Sequence, residues 1–424
     1  MTMRRFFSFI MVLAAVAGSS FLAQAQDMPR FRQIVRELSR PKYQGRGYAH
    51  DGVRKAGKYV YRQFEKAGVD DVVFQPFTID INTFGGKMEM VVDGRKLRAG
   101  RDFSMREYSP GVKGEFPVYH VDTLNYDSER LFADLAKPEN ANCMVVCDFL
   151  FTYRHKEDFN RLQTAGEARN AGLILTWNTP LKFYKAYGEK VVDKPIVWTL
   201  SDAVAGIRSV RLDIENKFLQ AYETSNVIAR VDGRRHDSCY VFTAHYDHLG
   251  NLGKKVFFPG SNDNASGIAT IITLAEHFSK NQPEFDVYFI AFSGEEANLR
   301  GSRWYVDNPV VPLSQIRYLF NIDMIGDDNP SLYCELSQAG MPEFCLFEDI
   351  NGEQKLFDSL ERGELAANSD HFPFAEKGVP CVFFMNHEGS SFQFYHTPND
   401  NPKTVRYESY PSVFRLICSF LKKL

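Results

Sequence analysis

Five short stretches of the 424-residue chain carry side chains able to do chemistry. They are His245-Tyr246-Asp247-His248, Gly260-Ser261-Asn262-Asp263-Asn264, Gly294-Glu295-Glu296, the single Asp323, and Tyr395-His396-Thr397-Pro398. Two histidines, two aspartates and a glutamate make a hard-to-borderline donor set without a thiolate. Such a set suits zinc, with Mn²⁺ or Co²⁺ as substitutes. Five ligands exceed what one open tetrahedral zinc needs, but they suit two ions that share a bridging carboxylate. Two ions roughly 3.5–4 Å apart activate one water and polarise a carbonyl. The remaining carboxylate of the Glu295-Glu296 pair then supplies a general base. Neighbouring side chains diverge, so one glutamate can bind metal while the other faces water. Asp247, two residues from His245, is placed to orient that imidazole.

Each residue taken alone has a simpler explanation. Asp263 precedes a helix and fits an N-cap. Glu295 and Glu296 could be solvated loop acids, and His245 or His396 could be structural. Asp323 is harder to dismiss, because an acid ending an apolar strand is costly without a partner. The joint pattern outweighs the separate explanations. His248, His277 and His371 are left out of the ligand set.

The elements around these residues explain why they should meet. Runs at 239–244, 287–292, 318–322 and 380–385 read as strands, each followed by one of the candidate stretches. Residues 264–280 carry Ile268, Ile271, Ile272, Ala275 and Phe278 on one helical face. Residues 411–423 close the chain with a second such helix. Strand and helix alternating in this way predict a mixed, mainly parallel α/β sheet flanked by helices. In such sheets ligands gather at the carboxyl ends of the strands. Earlier, residues 28–38 and 52–67 show helical spacing, with Gly68 as a stop and a Gly45-Arg46-Gly47 turn between them. From about 88 to 220 the pattern changes to short apolar runs at 144–147, 173–175 and 196–200. One helical stretch around 161–171 lies among them. This predicts a mostly β inserted module with no catalytic constellation.

Composition bounds the classes of function. The chain is 44% hydrophobic, 24% charged and 14% aromatic, with a net charge of −3. These values fit a globular protein of two or three domains. They argue against a nucleic-acid-binding chain and against disorder. Residues 1–25 read as a signal peptide: Arg4 and Arg5, an apolar run over 6–18, and Ala23-Gln24-Ala25 as the cleavage site. The mature chain is therefore expected to be exported, periplasmic or secreted, with no membrane span after cleavage. Seven cysteines is an odd number, so at least one thiol lacks an intrachain partner. Cys239, Cys381 and Cys418 sit in apolar runs and read as buried small hydrophobes.

The motifs "TAHYDHLG", "PGSNDNASG", "AFSGEEANLRGS", "FNIDMIG", "SDHFPFAEKGVP" and "YHTPND" resemble, in order and spacing, the secreted co-catalytic di-zinc exopeptidases. These are the bacterial leucyl aminopeptidase and aminopeptidase Y type, related to glutamate carboxypeptidase. The resemblance covers about 223–424 and, more weakly, "GRGYAHDGVRKAGKYV". It implies that His245 and Asp323 serve one zinc, Glu296 and His396 the other, and that Asp263 bridges both. It makes Glu295 the general base, Asp247 the group orienting His245, and Tyr395 a phenol that stabilises the tetrahedral oxyanion; a packed aromatic is the plainer role for Tyr395. The family often has glycine where Asn298 stands, and asparagine also tolerates the left-handed conformation. Asn264-Ala265-Ser266 is a glycosylation sequon inside the metal motif, where a glycan would block the site, so a bacterial source is expected. The runs "CMVVCDF", "GEARNAGLILTW" and "PIVWTLSD" resemble a protease-associated module. The implied organisation is a signal peptide (1–25), an N-terminal part of the peptidase domain (26–87), the insert (88–222) and the catalytic domain (223–424).

The function implied is an aminopeptidase that hydrolyses N-terminal residues from peptides, using a hydroxide held by two zinc ions. A carboxypeptidase or dipeptidase would need a cation for the substrate carboxylate, and Arg300 and Arg303 are the candidates. A single-zinc glutaminyl cyclase and a non-catalytic receptor-like protein are the remaining alternatives. Phe383, Phe384, Phe392 and Phe394 could line an apolar subsite or belong to the core.

Overall fold

The structure, a computed structural model, describes residues 27–178 and 188–423. The expected signal peptide, 1–25, lies outside the described residues. Among these residues no helix is long and apolar enough to cross a membrane.

The helices Met28–Leu38 and Gly52–Ala67 form where the spacing places them. Phe31, Ile34, Val35 and Leu38 are all buried. Asp27 accepts a 2.9 Å hydrogen bond from the Arg30 amide and caps the first helix. Gly68 stops the second at φ +79°.

Among the described residues eighteen strands follow: β1 (Asp71–Thr83), β2 (Met88–Val92), β3 (Arg95–Leu97), β4 (Phe103–Met105), β5 (Val112–His120), β6 (Met144–Asp148), β7 (Gly172–Trp177), β8 (Ile196–Leu200), β9 (Ser209–Ile214), β10 (Lys217–Val231), β11 (Arg235–His245), β12 (Asn251–Leu252), β13 (Val256–Phe257), β14 (Phe285–Phe292), β15 (Ile316–Ile322), β16 (Leu332–Leu336), β17 (Leu360–Gly363) and β18 (Cys381–Met385).

The first sheet has the order β1-β10-β14-β11-β15-β18-β16-β17. Its four central strands, β14, β11, β15 and β18, are parallel, and the flanks add antiparallel pairs. Side chains alternate between two cores. Phe242, Ala244, Phe289 and Ala291 face the helix Gly267–Lys280 and its neighbours. Val241, Ile290 and Phe292 face Tyr305 and Phe374 on the other side. Burial on both faces explains why these strands read as continuous apolar runs.

Two features were not expected. The long ribbon of β1 and β10, paired from Asp71↔Arg230 to Thr83↔Lys217, extends the first sheet, and β10 crosses position 222. The edge strand β17, Leu360–Gly363, also carries too few apolar residues to announce itself, and β16, Leu332–Leu336, pairs between it and β18.

The second sheet is built from residues 88–214 in the order β3-β2-β9-β5-β6-β7-β8-β4. Val145, Leu173, Leu175 and Ile196 pack on one face, and Met144, Val146, Ile174 and Val197 on the other. The helix expected over 161–171 instead spans Lys156–Gln163. It starts earlier because Glu157 and Asp158 favour the positive end of its dipole. It stops where the Asn170 side chain takes the Leu162 carbonyl at 3.0 Å and Gly166 turns left-handed at φ +83°. All seven cysteines are free thiols, and Cys239 and Cys381 are buried while Cys418 is half-buried.

Candidate metal centre

The carboxyl ends of β11, β14 and β15 meet the loop 260–266 and the loop after β18. His245 ends β11, Glu295 and Glu296 follow β14, and Asp323 follows β15. The helix expected from 264 begins only at Gly267, after a wide turn over Ser261–Ser266. Asp263 therefore does not act as an N-cap. Its backbone is extended (φ −106°, ψ 101°), and its carboxylate turns inward between two imidazoles. Oδ1 lies 3.2 Å from His245 Nε2, and Oδ2 lies 3.0 Å from His396 Nε2. Asp323 stands 3.4 Å from His245 Nε2, and Glu296 stands 3.5 Å from His396 Nε2. The two glutamates do diverge: Glu295 approaches His245 Nε2 at 3.9 Å, while Glu296 turns toward His396.

His248, left out on sequence grounds, lies with this group. Its Nδ1 is 2.7 Å from Glu296 Oε1 and 3.7 Å from Asp263 Oδ2. The donor atoms fall into two trios, His245 with Glu295 and Asp323, and His248 with Asp263 and Glu296. His396 lines the open pocket, whereas His248 is fully buried behind it.

The charge balance of this cluster fits divalent cations. Burial opposes charge on His245 and His396, yet the surrounding acids outweigh it. His245 is held well above its ordinary pKa by Asp323 and Glu295, and His396 is pushed up to about 10 by Glu296 and Asp263. Burial and neighbouring acids push Glu295 well above the ordinary carboxylate value. Burial acts against Glu296 as well, but the imidazoles win and bring it down to about 2. Protons thus supply positive charge that this acid-rich pocket needs, and metal ions would displace them. A buried Asp323 oxygen, Oδ1, has no hydrogen-bond donor, as expected of an atom meant for a cation.

Sequence reasoning missed the supports behind these candidate ligands. Arg46 is fully buried, and its guanidinium donates only to backbone carbonyls. They belong to Tyr246 (2.9 Å), Leu38 (3.4 Å), Pro259 (2.5 Å), Gly260 (2.8 Å) and Asp263 (2.9 Å). Asp400 grips the same loop from its other side, accepting from the Asn262 and Asp263 amides at 2.8 and 3.1 Å. The Gly45-Arg46-Gly47 turn was the available signal. A Cβ on Gly47 would lie 2.3 Å from Gly250 Cα, so glycine there lets Arg46 pass beneath the ligand loops. Tyr48 donates to Asp247 Oδ2 at 3.0 Å, and the Glu295 amide donates to Asp247 Oδ1 at 3.2 Å. Asp247 meets the His245 ring mainly through its backbone carbonyl, 3.2 Å from Nδ1, with its carboxylate at 3.7 Å. Ser369 donates to Asp323 at 2.8 Å, and Ser302 to Asp370 at 2.5 Å. Burial, with the nearby Asp247 and Asp323, pushes Asp370 up to about 7 against the pull of His245 and Ser302.

A cavity of about 180 Å³ opens over the centre. Asp263, Glu295 and Asp323 line its floor, and Met324, Phe383, Met385 and Phe392 its apolar side. Phe384 belongs to the core instead. Tyr395 also lines the cavity, its ring stacked on His396 at 3.7 Å between centroids. Burial and the four acids beside it hold the Tyr395 phenol protonated, well above its ordinary pKa. Asn298 adopts the left-handed conformation at φ +73°. Asn264 is fully buried, its amide bonded to the Ile322 carbonyl at 2.9 Å, so the sequon offers no surface for a glycan.

Residues 226–421 match the model of Peptidase family M28. Aminopeptidase YwaD of Bacillus subtilis is 30% identical over 182 residues, which is 41% of this chain and 38% of that protein. Leucine aminopeptidase 2 of Trichophyton equinum is 28% identical over 238 residues, 51% of this chain and 46% of that protein. The matched stretch thus spans less than half the length of these curated relatives. Among solved structures, a zinc aminopeptidase from Bacillus subtilis superposes with a TM-score of 0.70 at 21% identity, covering 93% of this chain and 94% of that one. A Peptidase M28 precursor from Shewanella amazonensis gives 0.72 at 17% identity, covering 96% and 95%. These superpositions establish a shared fold across nearly the whole chain.

Proposed function

We propose that this chain, whose residues 226–421 match the model of Peptidase family M28, is a member of that family and a metal-dependent aminopeptidase that removes N-terminal residues from peptides. The observation that carries this reading is the lining of the cavity. Acids and apolar side chains line it, and no lysine or arginine does among the described residues. Carboxylates suit the α-ammonium group of a peptide, and Met324, Phe383, Met385 and Phe392 suit an apolar first side chain. A carboxypeptidase or dipeptidase would need a cation there. Arg300 is engaged by Glu189 of the inserted module, and Arg303 lies 3.3 Å from Glu376.

We assign His245 and Asp323 to one zinc ion, Glu296 and His396 to a second, and Asp263 to both. The support is that the two Asp263 oxygens face opposite imidazoles. His248 is assigned to holding Glu296 in place. Two divalent ions bound here would polarise the scissile carbonyl and acidify the attacking water. Glu295 takes the proton of that water and returns it to the leaving amine. Asp247, fixed by Tyr48, keeps His245 oriented, and the protonated Tyr395 phenol donates to the oxyanion. Residues 88–222 are assigned as the protease-associated-like insert, which shapes access to the cleft. Residues 1–25 are assigned as an export signal.

The test pairs metal analysis with blocked substrates. Zinc-reconstituted protein is expected to hold two ions per chain and to hydrolyse leucine p-nitroanilide but not its N-acetyl derivative. One ion per chain would favour a cyclase. Hydrolysis that needs a free carboxyl terminus would favour a carboxypeptidase.

A further inference from the structure

A cavity of about 730 Å³ forms a second, open groove beside the candidate metal centre. Its volume lies within the roughly 300–1,000 Å³ of ligand-binding pockets. Three segments wall it: 86–89 with 96–101 from the second sheet, 252–256 from the hairpin after His248, and 397–399 directly after His396. The walls are in contact, since a Cβ on Gly100 would sit 2.7 Å from Val256 and 3.4 Å from Pro398. Two of the three walls are therefore continuations of the loops that carry candidate metal ligands.

The groove is strongly basic in a chain whose net charge is −3. Among the described residues Lys87, Lys96, Arg98, Arg101, Lys254 and Lys255 line it, against Glu89 alone. Lys87 pairs with Asp213, Lys96 with Glu89 and Arg101 with Asp102. Arg98, Lys254 and Lys255 are exposed and pair with no carboxylate among the described residues. Three uncompensated cations on two facing walls of one groove, Arg98 on one and Lys254 and Lys255 on the other, focus a positive field on whatever enters it. Among the described residues no aromatic side chain lines the groove, whereas single-stranded nucleic acids call for a stacking platform.

We propose that this groove binds the distal, C-terminal part of the peptide substrate and selects acidic side chains beyond the residue being released. The proposal rests on the aminopeptidase reading and adds a substrate class to it. The metal pocket, itself acidic, takes the cationic amino end. The basic groove takes the anionic remainder. A peptide dipole is thereby oriented with its free amine toward Glu295.

The test compares Leu-Ala-Asp-Asp-Asp with Leu-Ala-Ala-Ala-Ala, using leucine p-nitroanilide, which is too short to reach the groove, as internal reference. The zinc-loaded protein is expected to favour the acidic peptide about five- to tenfold in kcat/KM at low salt, the preference shrinking as salt rises. Lys254→Glu/Lys255→Glu should abolish or reverse the preference and leave anilide turnover unchanged. Equal turnover of the two peptides by the unaltered protein, or a preference that survives in the double variant, overturns the proposal. If neither peptide nor the anilide is hydrolysed, the aminopeptidase reading fails. Anisotropy of the fluorescein-labelled acidic peptide, with and without the double substitution, then decides the groove on its own: tighter binding without the substitution supports it, and equal binding overturns it.

Discussion

The two eight-stranded sheets are built on similar plans and do different work. Each has four parallel strands at its centre with antiparallel additions. In the first sheet, three parallel strands run into His245, Glu295-Glu296 and Asp323, and the loop after the fourth brings His396. In the second, the parallel strands end without a cluster of metal-competent groups among the described residues. Its buried Lys194 is satisfied locally, by Asn170 at 2.9 Å and the Ala168 carbonyl at 2.9 Å. A parallel sheet thus provides converging strand ends, and the residues placed there decide whether a site exists. Support distinguishes the two as well. The first sheet's ligand loops rest on a buried arginine and several buried acids, while the second sheet is held by apolar packing.

The largest effect should come from the strand end itself. Glu295→Gln keeps the shape of the side chain but cannot take a proton. We expect kcat on leucine p-nitroanilide to fall about 10²- to 10⁴-fold with zinc content unchanged. Asp263→Asn, by contrast, should lose bound zinc along with activity, which separates the base from the shared ligand. A Glu295→Gln variant with full turnover would remove the general-base assignment.

Arg46 comes next. Arg46→Met takes a donor away from five carbonyls and removes the positive charge facing Asp263, Asp400 and Asp247. The cost should be about 3–5 kcal/mol, the range for breaking a buried ionic arrangement. Zinc affinity should fall with it, because the Pro259–Asp263 backbone loses its anchor. The comparable change in the second sheet is Leu173→Ala, at a fully buried position. It should cost about 2–4 kcal/mol through the cavity it leaves, yet leave kcat and zinc content intact in the protein that remains folded. Denaturant titration and metal analysis of the two variants read the contrast directly. A Leu173→Ala variant that loses zinc would show that the sheets are not separable in this way.

The sequence made the chemistry more legible than its support. Three of the candidate ligands, His245, Glu296 and Asp323, stand at or just after the ends of continuous apolar runs, and their residue types are unusual enough to be recognised. The two amino-terminal helices were equally plain, because burying one face forces the spacing. Arg46, Asp400 and Asp370 were not legible as supports. Their role depends on bonds between residues far apart in the chain, 200 positions between Arg46 and Tyr246, 138 between Asp400 and Asn262 and 68 between Asp370 and Ser302, and no local pattern encodes that. The ribbon of β1 and β10 was missed for a related reason. Its outer half is mixed and exposed, so neither alternation nor a continuous run marks it. His248 carries no mark in the sequence that separates it from a structural histidine, and only the folded geometry places it on Glu296.

The smallest prediction concerns acid. Glu335 on β16 is buried beside the pocket wall and accepts from His371 Nε2 (3.0 Å), the Ala366 amide (2.5 Å) and Asn368 Nδ2 (2.9 Å). Burial alone would raise its pKa, but His371 and these donors outweigh burial and hold it below the ordinary 4.5. A depressed carboxylate stabilises the fold above its unfolded pKa, and that stability is lost as pH falls through the folded value. At neutral pH the unaltered protein should therefore melt above Glu335→Gln. The gap should close as pH drops below about 4.5, where the unfolded carboxylate begins to protonate first. Hydrogen exchange should show the loss in β16, whose Asn368-bearing neighbour lines the metal pocket, before it reaches β7 in the apolar second sheet. A melting gap that stays constant from neutral to acid would mean that Glu335 contributes by shape alone, and the electrostatic contrast between the two sheets would then stop at the metal ligands.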